Sequence, residues 1–362
     1  MITEAIQKIV TGIDLTETEM ETAMSAVIDG KVPNSQTAAF VTALRMKGET
    51  TEEITGAARA IGSRVLNLQL NNHLINLDRD DINLEHETIL KVGDTGNNNT
   101  RTFNVSSATA FVLAGGGLRI ARHGIRSENH YFGSADVLAD LGVKLDISHS
   151  DVEGCIRKVG IGFLFIPFLH GPMRNVAHIR KELGIRTIFN LVSPLLNPAG
   201  ATAHVLGVYE PALTEKLARA LKNLGASKAF VVFGEETFDE ISICGTTRIS
   251  RLENGEITTL MIRPEDYGLE RAGLDALKGG NASDNARIIN NVLAGEKGAC
   301  RDIVLLNAAA GFVVAGMDSA MENGIKRAAG VIDSGKARQK LDALVQYTRR
   351  CEPFVRKDLD SM

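Results

Sequence analysis

Residues 89–117 read ILKVGDTGNNNTRTFNVSSATAFVLAGGG. An apolar run leads into a loop of glycine, asparagine and threonine, and a second apolar stretch then ends at three glycines. The first run has the composition of a strand, and the second that of a helix stopped by glycine. A strand, a glycine-rich polar loop and a helix N-terminus in this order are typical of an anion site, because free backbone N–H groups and the helix dipole both favour negative charge.

The same loop excludes one common phosphate-binding motif and disfavours another. A Walker loop requires GK[ST] ahead of the helix, and that sequence does not follow here. The dinucleotide fingerprint is matched poorly, because the spacing is Gly93-x-x-Gly96. An ordinary loop rich in turn-forming residues is the alternative interpretation, and the loop alone does not decide between the two.

Strands and helices alternate around this stretch. ETILKV, LRIA, IGFLFI and AFVVFG read as strands, and SSATAFVLAGGG and SADVLADLG read as helices. This alternation predicts an α/β layer whose sheet is mixed and at least partly parallel. The segment NVAHIRKELGIRTIFNLVSPLLNP reads as helix and then as irregular chain near Pro194 and Pro198, and the tail from Asp302 reads as helix.

The first 66 residues have a different pattern, which is helical throughout. Apolar residues recur at helical spacing in three segments, of which two end at Gly30 and Gly48. The third opens with Thr-Thr-Glu-Glu at residues 50–53, which is typical of a capping box. The predicted fold class is therefore α/β, with a small all-helical domain ahead of a larger α/β domain.

Composition and charge disfavour several classes of protein. The chain has 362 residues, 44% of them hydrophobic, which suffices for two domains. A net charge of −4 argues against nucleic-acid binding. Four widely spaced cysteines without a CxxC pair predict neither a zinc site nor a disulfide framework, and no apolar run reaches the ~18 residues of a membrane span. We therefore expect a soluble protein in the reducing cytoplasm, without membrane contact.

A second polar loop follows the next predicted strand. Arg122, His123, Arg126 and His130 lie within nine residues, ahead of a helix that starts at Ser134. A single basic loop is usually a solvated surface. Two neighbouring loops, one rich in N–H donors and one in guanidinium groups, would leave the same edge of the sheet, where ligands of open α/β sheets bind. Together they predict a polyanionic ligand such as a diphosphate-bearing sugar or nucleotide.

A third segment, AFVVFGEETFDEIS, places four carboxylates after a strand: Glu235, Glu236, Asp239 and Glu240. Magnesium is usually held by one or two carboxylates together with substrate phosphates. Since adjacent side chains point to opposite faces of a strand, Asp239 and Glu240 would both serve only on a turn or through water. An acidic surface loop is the alternative interpretation.

Four segments together resemble the anthranilate phosphoribosyltransferase family, of the nucleoside phosphorylase class II fold. In chain order they are GDTGNNNTRTFNVSS, RHGIRSENHYFGSADVL, HGPMRNVAHIRKELGIRTIFNLVSPLLNP and FDEIS. The resemblance implies a homodimer formed through the helical domain, and a cleft between the two domains. It assigns residues 1–75, with about 175–200 returning, to the helical domain, and 76–174 and 201–362 to the phosphoribosyl-binding domain. The family's reaction joins the amine of anthranilate to C1 of phosphoribosyl pyrophosphate with Mg²⁺, releases pyrophosphate and serves tryptophan biosynthesis.

Carried over by position, the resemblance also implies roles for single residues. The donor, phosphoribosyl pyrophosphate, would be bound by Gly93, Gly96, Asn97, Asn98, Thr102, Asn104, Ser106, Ser107, Arg122 and Ser134. Magnesium would be bound by Ser106, Asp239 and Glu240. The acceptor would lie near His123, Ile125, His170, Arg180 and Pro194. Catalysis would depend on His123, Arg122 and Arg180, the last facing the acceptor carboxylate, which a guanidinium binds bidentately.

Several of these positions depart from the family's motifs. The loop GDTGNNN is one residue longer than the family's GTGGDG and has Asn98 for its aspartate. Ile125 replaces an asparagine that contacts the acceptor, and Ser193 replaces a glycine beside it. Further replacements are Arg122 for lysine, Asn129-His130 for a serine pair and Phe233 for histidine. We therefore predict that anthranilate is a poorer acceptor here than for a typical family member.

Three functions are compatible with the sequence. The first is a magnesium-dependent phosphoribosyltransferase acting on anthranilate or a close analogue. The second is a transferase or phosphorylase of the same fold with another acceptor, and the third is a non-catalytic relative that binds a phosphorylated ligand or nucleic acid. The residues Ser106, Arg180, Asp239 and Glu240 favour the first two.

Overall fold

The structure is a computed structural model that describes residues 2–64, 89–94, 102–124, 133–165, 173–196, 200–201 and 203–354. The N-terminal region is helical, as predicted, but in four segments rather than three: α1 (Ile2–Val10), α2 (Glu17–Ile28), α3 (Asn34–Lys47) and α4 (Thr51–Gly62). The additional helix, α1, buries Ala5 and Ile9 one turn apart. The predicted capping box is confirmed, because the Thr50 side chain accepts from the Glu53 N–H and the Glu53 carboxylate accepts from the Thr50 N–H.

The carboxylate of Glu53 fixes how this helical bundle packs. It is fully buried, and it accepts hydrogen bonds of 3.0 Å from both the Leu15 N–H and Lys47 Nζ. These donors come from the connection before α2 and from the last turn of α3. Glu53 thus links α3, α4 and that connection. Removing one partner of a buried ion pair usually lowers the free energy of unfolding by about 3–5 kcal/mol.

The described strands form one mixed sheet. They are β1 (Ile89–Asp94), β2 (Arg119–Gly124), β3 (Ile161–Phe165), β4 (Ala203–Gly207), β5 (Lys228–Gly234), β6 (Thr247–Glu253) and β7 (Glu256–Ile262). Their spatial order is β3-β2-β1-β4-β5-β6-β7. All neighbours from β3 to β5 are parallel, whereas the pairs β5–β6 and β6–β7 are antiparallel. The predicted mixed, partly parallel sheet is confirmed.

Three of these strands, β4, β6 and β7, were not predicted from the sequence. The β6–β7 hairpin has a detectable signal, because its two-residue turn is Asn254-Gly255 with φ angles of 53° and 77°. Asparagine followed by glycine is the preferred sequence for such a turn, in which both residues have positive φ. The central strand β4 is only five residues long and entirely buried, so it has no alternating pattern to reveal it.

The remaining helices connect and cover the strands. They are α5 (Val105–Gly115), α6 (Ser134–Asp140), α7 (His149–Gly154), α8 (Arg174–Leu183), α9 (Ile188–Val192), α10 (Leu213–Asn223), α11 (Ala282–Leu293), α12 (Ala299–Val314), α13 (Met321–Asp333) and α14 (Lys336–Arg350). The predicted helix in the tail is confirmed by α12, which is apolar and buried on nearly every side. Among the described residues, none of the helices combines the length and apolar character needed to cross a membrane.

Two hydrophobic cores organise the chain. One lies where α5 and α12 pack against the sheet, with Phe111 and Phe312 fully buried at its centre. The other combines the N-terminal bundle with residues from α8 and α9, such as Val176 and Phe189, and with the inner side of α10. The segment at 173–196 thus packs against the bundle, although the domain boundaries themselves stay a prediction.

Glu49 lies where the bundle meets the α/β layer. Its side chain is 4% exposed, and its backbone carbonyl accepts a 2.8 Å hydrogen bond from Lys216 Nζ on α10. Burial raises the pKa of the Glu49 carboxyl above its usual value of 4.5, and the negative charge of Glu53 adds to the rise. The positive charges of Arg45 and Lys216 lower it, but by less than burial raises it.

This raised pKa makes the stability of the fold depend on pH. The neutral carboxyl suits the buried position, so its contribution is complete below pH 4.5 and is lost as the pH rises through the pKa of the folded state. We expect Glu49→Gln, which is neutral at every pH, to unfold at higher urea concentration than the wild type at pH 8, with a smaller difference at pH 5. The exposed neighbour Glu52→Gln serves as the control. An equal difference at both pH values would contradict this prediction.

Candidate active site

Five parallel strands end at one edge of the sheet. β3, β2, β1, β4 and β5 run in the same direction, so their carboxyl ends lie side by side. Gly93 is near the end of β1 and His123 near the end of β2. Ligands of open α/β sheets bind at this edge. The predicted site residues Gly96, Asn97, Asn98, Ile125 and His170 lie outside the described residues, and their roles stay predictions.

Arg122 joins the second predicted loop to the start of α5. Its side chain, on β2, is 3% exposed. Its Nη1 donates to Ser107 Oγ at 2.9 Å, and its Nη2 donates to Ser106 Oγ at 2.6 Å. A buried guanidinium held in this way has a fixed orientation, because its planar fork engages two acceptors at once. The structure therefore brings together three of the predicted donor-binding residues at a helix N-terminus.

The chain ahead of α5 is held by a distant segment. Thr102 pairs with Lys278 in an isolated bridge, and the Phe103 N–H donates to the Leu277 carbonyl at 2.9 Å. Asn104 occupies the N-cap position of α5, but its side chain does not cap the helix. Instead Asn104 Oδ1 accepts a 3.1 Å hydrogen bond from Asn285 Nδ2. Asn285 was not predicted, because a partner 181 residues away leaves no local signal.

The acidic segment after β5 is an irregular turn rather than a continued strand. Gly234 and Phe238 form an isolated bridge, and Glu236 and Phe238 have φ angles of 62° and 56°. Asp239 and Glu240 follow in bends of the chain. Their side chains are therefore not held on opposite faces of a strand, as the predicted magnesium site requires. Glu240 is 9% exposed, and Asp239 is half-buried.

Two residues that the sequence did not reveal fix this acidic segment. Asn307 on α12 accepts from the Ile241 N–H and donates to the Ile241 carbonyl, both at 2.9 Å. Gly207, the last residue of β4, lies directly against Asp239, since a Cβ at Gly207 would be 1.8 Å from the Asp239 carbonyl oxygen. The backbone that carries the two carboxylates is therefore clamped from the buried side.

Two of the predicted acceptor residues, Arg180 and Pro194, lie in the segment formed by α8 and α9, together with Ser193. The Arg180 guanidinium is 5.9 Å from the centroid of the Phe189 ring, which is itself fully buried. Ser193 Oγ donates to the Phe189 carbonyl at 2.7 Å. Pro194 is buried in the short 3-10 helix Ser193–Leu195. The α8–α9 segment thus gathers Arg180, Ser193 and Pro194, while Ser134 begins α6.

The donor set of this edge fits magnesium. Asp239, Glu240 and Ser106 offer carboxylate and hydroxyl oxygens, the ligand type that Mg²⁺ prefers. Within the described ranges, no group of three or more histidine, cysteine, aspartate or glutamate side chains could hold a metal ion. A pair of carboxylates completed by substrate phosphates is the usual arrangement for Mg²⁺.

Known proteins match the chain over both of its parts. The helical bundle domain of the glycosyl transferase family matches residues 3–64, and the a/b domain of that family matches residues 86–338. Anthranilate phosphoribosyltransferase of Geotalea uraniireducens is 51% identical over 348 residues, which cover 96% of this chain and 99% of the relative. The enzyme of the same name from Geobacter sulfurreducens is 48% identical, with the same coverage of both chains.

Solved structures agree with the sequence matches. Anthranilate phosphoribosyltransferase from Thermus thermophilus superposes with a TM-score of 0.85 at 38% identity, covering 95% of this chain and 99% of the other. The enzyme from Saccharomyces cerevisiae, in complex with PRPP and Mg, has a TM-score of 0.82 at 27% identity, covering 96% and 98%. These matches confirm the predicted fold class. The chain belongs to the anthranilate phosphoribosyltransferase family.

Proposed function

We propose that the chain is a magnesium-dependent phosphoribosyltransferase. It joins the amine of anthranilate, or of a close analogue, to C1 of phosphoribosyl pyrophosphate and releases pyrophosphate. With anthranilate as the acceptor, the reaction is a step of tryptophan biosynthesis. The observation that carries the proposal is the buried Arg122, fixed on Ser106 and Ser107 where α5 begins at the ligand-binding edge of the sheet. The full-length similarity to anthranilate phosphoribosyltransferases supports it.

The donor is bound by the loops and helix start at this edge. Backbone N–H groups of the first turn of α5 bind the phosphates, because helix N-termini favour anions. Arg122 adds a fixed positive charge beside the leaving pyrophosphate, where an oriented charge stabilises the transition state. Asp239, Glu240 and Ser106 would hold Mg²⁺, which would neutralise the negative charge that develops on the pyrophosphate.

The acceptor is bound by the α8–α9 segment. Arg180, which is half-buried, binds its carboxylate. An aromatic amine is already neutral at pH 7, so the site needs no strong base to activate it. Its main task is to hold the amine in line with C1. His123 or His170 accepts the proton that the amine releases.

Two measurements test the donor assignment. Calorimetry should show Mg²⁺-dependent binding of phosphoribosyl pyrophosphate, weakened by Asp239→Asn combined with Glu240→Gln. The control is Glu235→Gln combined with Glu236→Gln, two carboxylates earlier in the same segment. The second measurement is turnover, in which the wild type should convert anthranilate and donor to phosphoribosylanthranilate and pyrophosphate. No binding at millimolar donor, or equal weakening by both double variants, would overturn the assignment.

We also propose that the protein is a cytoplasmic homodimer formed through its helical domain. Val10, Ile13 and Met46 are 64%, 54% and 83% exposed, although they are large and apolar. Lys47 Nζ lies 2.5 Å from Asp14 Oδ1, which brings the chain at Ile13 beside the chain at Met46. Light scattering tests the proposal, since one chain has a mass of 38.9 kDa and a monomer would contradict it.

Arg180→Ala should weaken the binding of the acceptor and leave the binding of the donor nearly unchanged. A hydrogen bond to a charged group contributes about 1.5–3 kcal/mol, so we expect KM for anthranilate to rise roughly 10- to 150-fold. The dissociation constant of phosphoribosyl pyrophosphate should stay nearly constant. Arg174→Ala, an exposed arginine at the start of the same helix, is the control. An equal loss for both ligands would show that Arg180 is structural.

Ile125 should limit the efficiency with anthranilate. Isoleucine neither donates nor accepts a hydrogen bond, so a polar acceptor group that faces it is left unpaired, at a cost of about 1–3 kcal/mol if buried. Selectivity follows such unpaired groups strongly. We expect Ile125→Asn, alone or with Ser193→Gly, to raise kcat/KM for anthranilate by about tenfold or more. If the wild type already matches its relatives in side-by-side kinetics, this interpretation of Ile125 is wrong.

A further inference from the structure

Tyr209 joins three parts of the molecule. It lies two residues beyond the end of β4 and is 6% exposed. The Arg186 guanidinium lies over its ring, 4.4 Å from the centroid. The Tyr209 hydroxyl accepts a 3.2 Å hydrogen bond from Arg45 Nη1. Arg45 belongs to the last turn of α3, and Arg186 lies between α8 and α9, so one aromatic side chain connects the bundle, the acceptor segment and the central strand.

Further contacts hold this junction in place. Arg45 Nη2 donates to Glu210 Oε1 at 3.2 Å, so the same guanidinium engages two consecutive residues after β4. Burial raises the pKa of the Tyr209 phenol, which therefore stays neutral at physiological pH. A guanidinium over the face of an aromatic ring is attracted more strongly when the contact is desolvated, as at this 6% exposed ring.

The same stretch of chain reaches the carboxylates on the donor side. Gly207 packs against the backbone of Asp239, where no Cβ would fit. Between Gly207 and Tyr209, the Val208 N–H donates to the Val232 carbonyl at 2.9 Å, which fixes this stretch to β5. Tyr209 is therefore anchored to the sheet only two residues from the glycine that borders the segment of Asp239 and Glu240. On its other side, Arg186 is two residues from the start of α9, which leads to Pro194.

We propose that Tyr209 is a positioning residue for the transfer reaction. It fixes the acceptor segment, through Arg186, relative to the carboxylate segment that borders Gly207. The proposal rests on the proposed function, since it takes the acceptor to bind at the α8–α9 segment and the donor at the sheet edge. Tyr209 itself contacts neither substrate. Its effect is steep because a misplacement of about 1 Å between reacting atoms costs on the order of 100-fold in rate.

Kinetics of two variants test this role. Tyr209→Leu removes the ring under Arg186, and we expect kcat to fall by about tenfold or more while the donor dissociation constant changes by less than about twofold. Tyr209→Phe keeps the ring and should retain most of the rate. Arg186→Met should add little to Tyr209→Leu, because both remove the same contact. Parallel losses of kcat, donor affinity and melting temperature in Tyr209→Leu would overturn the proposal, as would an unchanged kcat.

Hydrogen exchange of the free protein separates this proposal from the proposed function. Amides of residues 185–196 should exchange faster in Tyr209→Leu than in the wild type or Tyr209→Phe, whatever the acceptor is. Unchanged exchange there would overturn the positioning role even in an active enzyme. Lack of turnover by the wild type would overturn the proposed function and the catalytic part of this role, whereas full turnover by Tyr209→Leu would overturn only the role of Tyr209.

Discussion

Gly207→Ala is expected to remove most of the phosphoribosyltransferase activity. The added Cβ would lie 1.8 Å from the carbonyl oxygen of Asp239 and 2.4 Å from its carbonyl carbon. These are backbone atoms, which cannot rotate aside as the end of a flexible side chain can. Gly207 is not among the glycines with positive φ, so the obstacle is steric rather than conformational. The segment that carries Asp239 and Glu240 must therefore move.

Both activity and stability should report that movement. We expect kcat/KM to fall by about 100-fold, the usual effect of misplacing catalytic groups by about 1 Å, and the free energy of unfolding to fall by about 1–3 kcal/mol from overpacking. The matched control is Gly330→Ala on α13, because a Cβ there meets no atom within 4 Å. That variant should be fully active and slightly more stable. Full activity of Gly207→Ala would contradict this prediction, because it would mean that the acidic segment can move without any loss of catalysis.

Arg122→Met should have a comparably large effect. The side chain is buried and donates to both Ser106 and Ser107, so its loss removes a fixed positive charge from the proposed pyrophosphate site and leaves two serine hydroxyls without their donor. Loss of one oriented group that stabilises transition-state charge usually costs about 100- to 1,000-fold in kcat. Steady-state kinetics with saturating donor measure this loss directly.

The variant Arg122→Lys distinguishes the contribution of the positive charge from that of the guanidinium geometry. Arg122→Lys keeps the charge, but a single ammonium group does not reproduce the planar fork that meets both serines. We expect an activity between those of the wild type and Arg122→Met. Arg119→Met, at the opposite end of β2, controls for the loss of a positive charge from that strand. If Arg122→Met kept activity within about threefold of the wild type, the proposed electrostatic role would be wrong.

The sequence predicted those features that have a local signal. The capping box at Thr50 and Glu53, the helix after the glycine loop and the strands β1, β2, β3 and β5 follow from spacing along the chain. The basic loop with Arg122 and His123 and the acidic segment with Asp239 and Glu240 also followed from the sequence, and family resemblance then assigned roles to single residues by position.

The residues that hold the site segments in place have no such local signal. Asn285, Asn307 and Gly207 act on residues that are distant in the chain, and Asn307 and Ile241 are 66 residues apart. The Asn104 side chain accepts from Asn285 instead of capping its helix, because a tertiary partner competes with the local one. The junction at Tyr209 likewise joins α3, the α8–α9 segment and β4, which only the folded chain brings together.

The order of strands in the sheet has a consequence for how the protein is made. The central pair, β1 and β4, matches Leu90 with Ala203, so the middle of the sheet cannot form until the ribosome has synthesised both ends of that interval. The core of the helical bundle cannot be completed before then either, because it includes Phe189 and Leu217. Pairing of such distant segments slows folding and prolongs the exposure of apolar surface. Neither hydrophobic core can therefore be completed early in synthesis. Both cores become buried only after the segments that complete them have been synthesised.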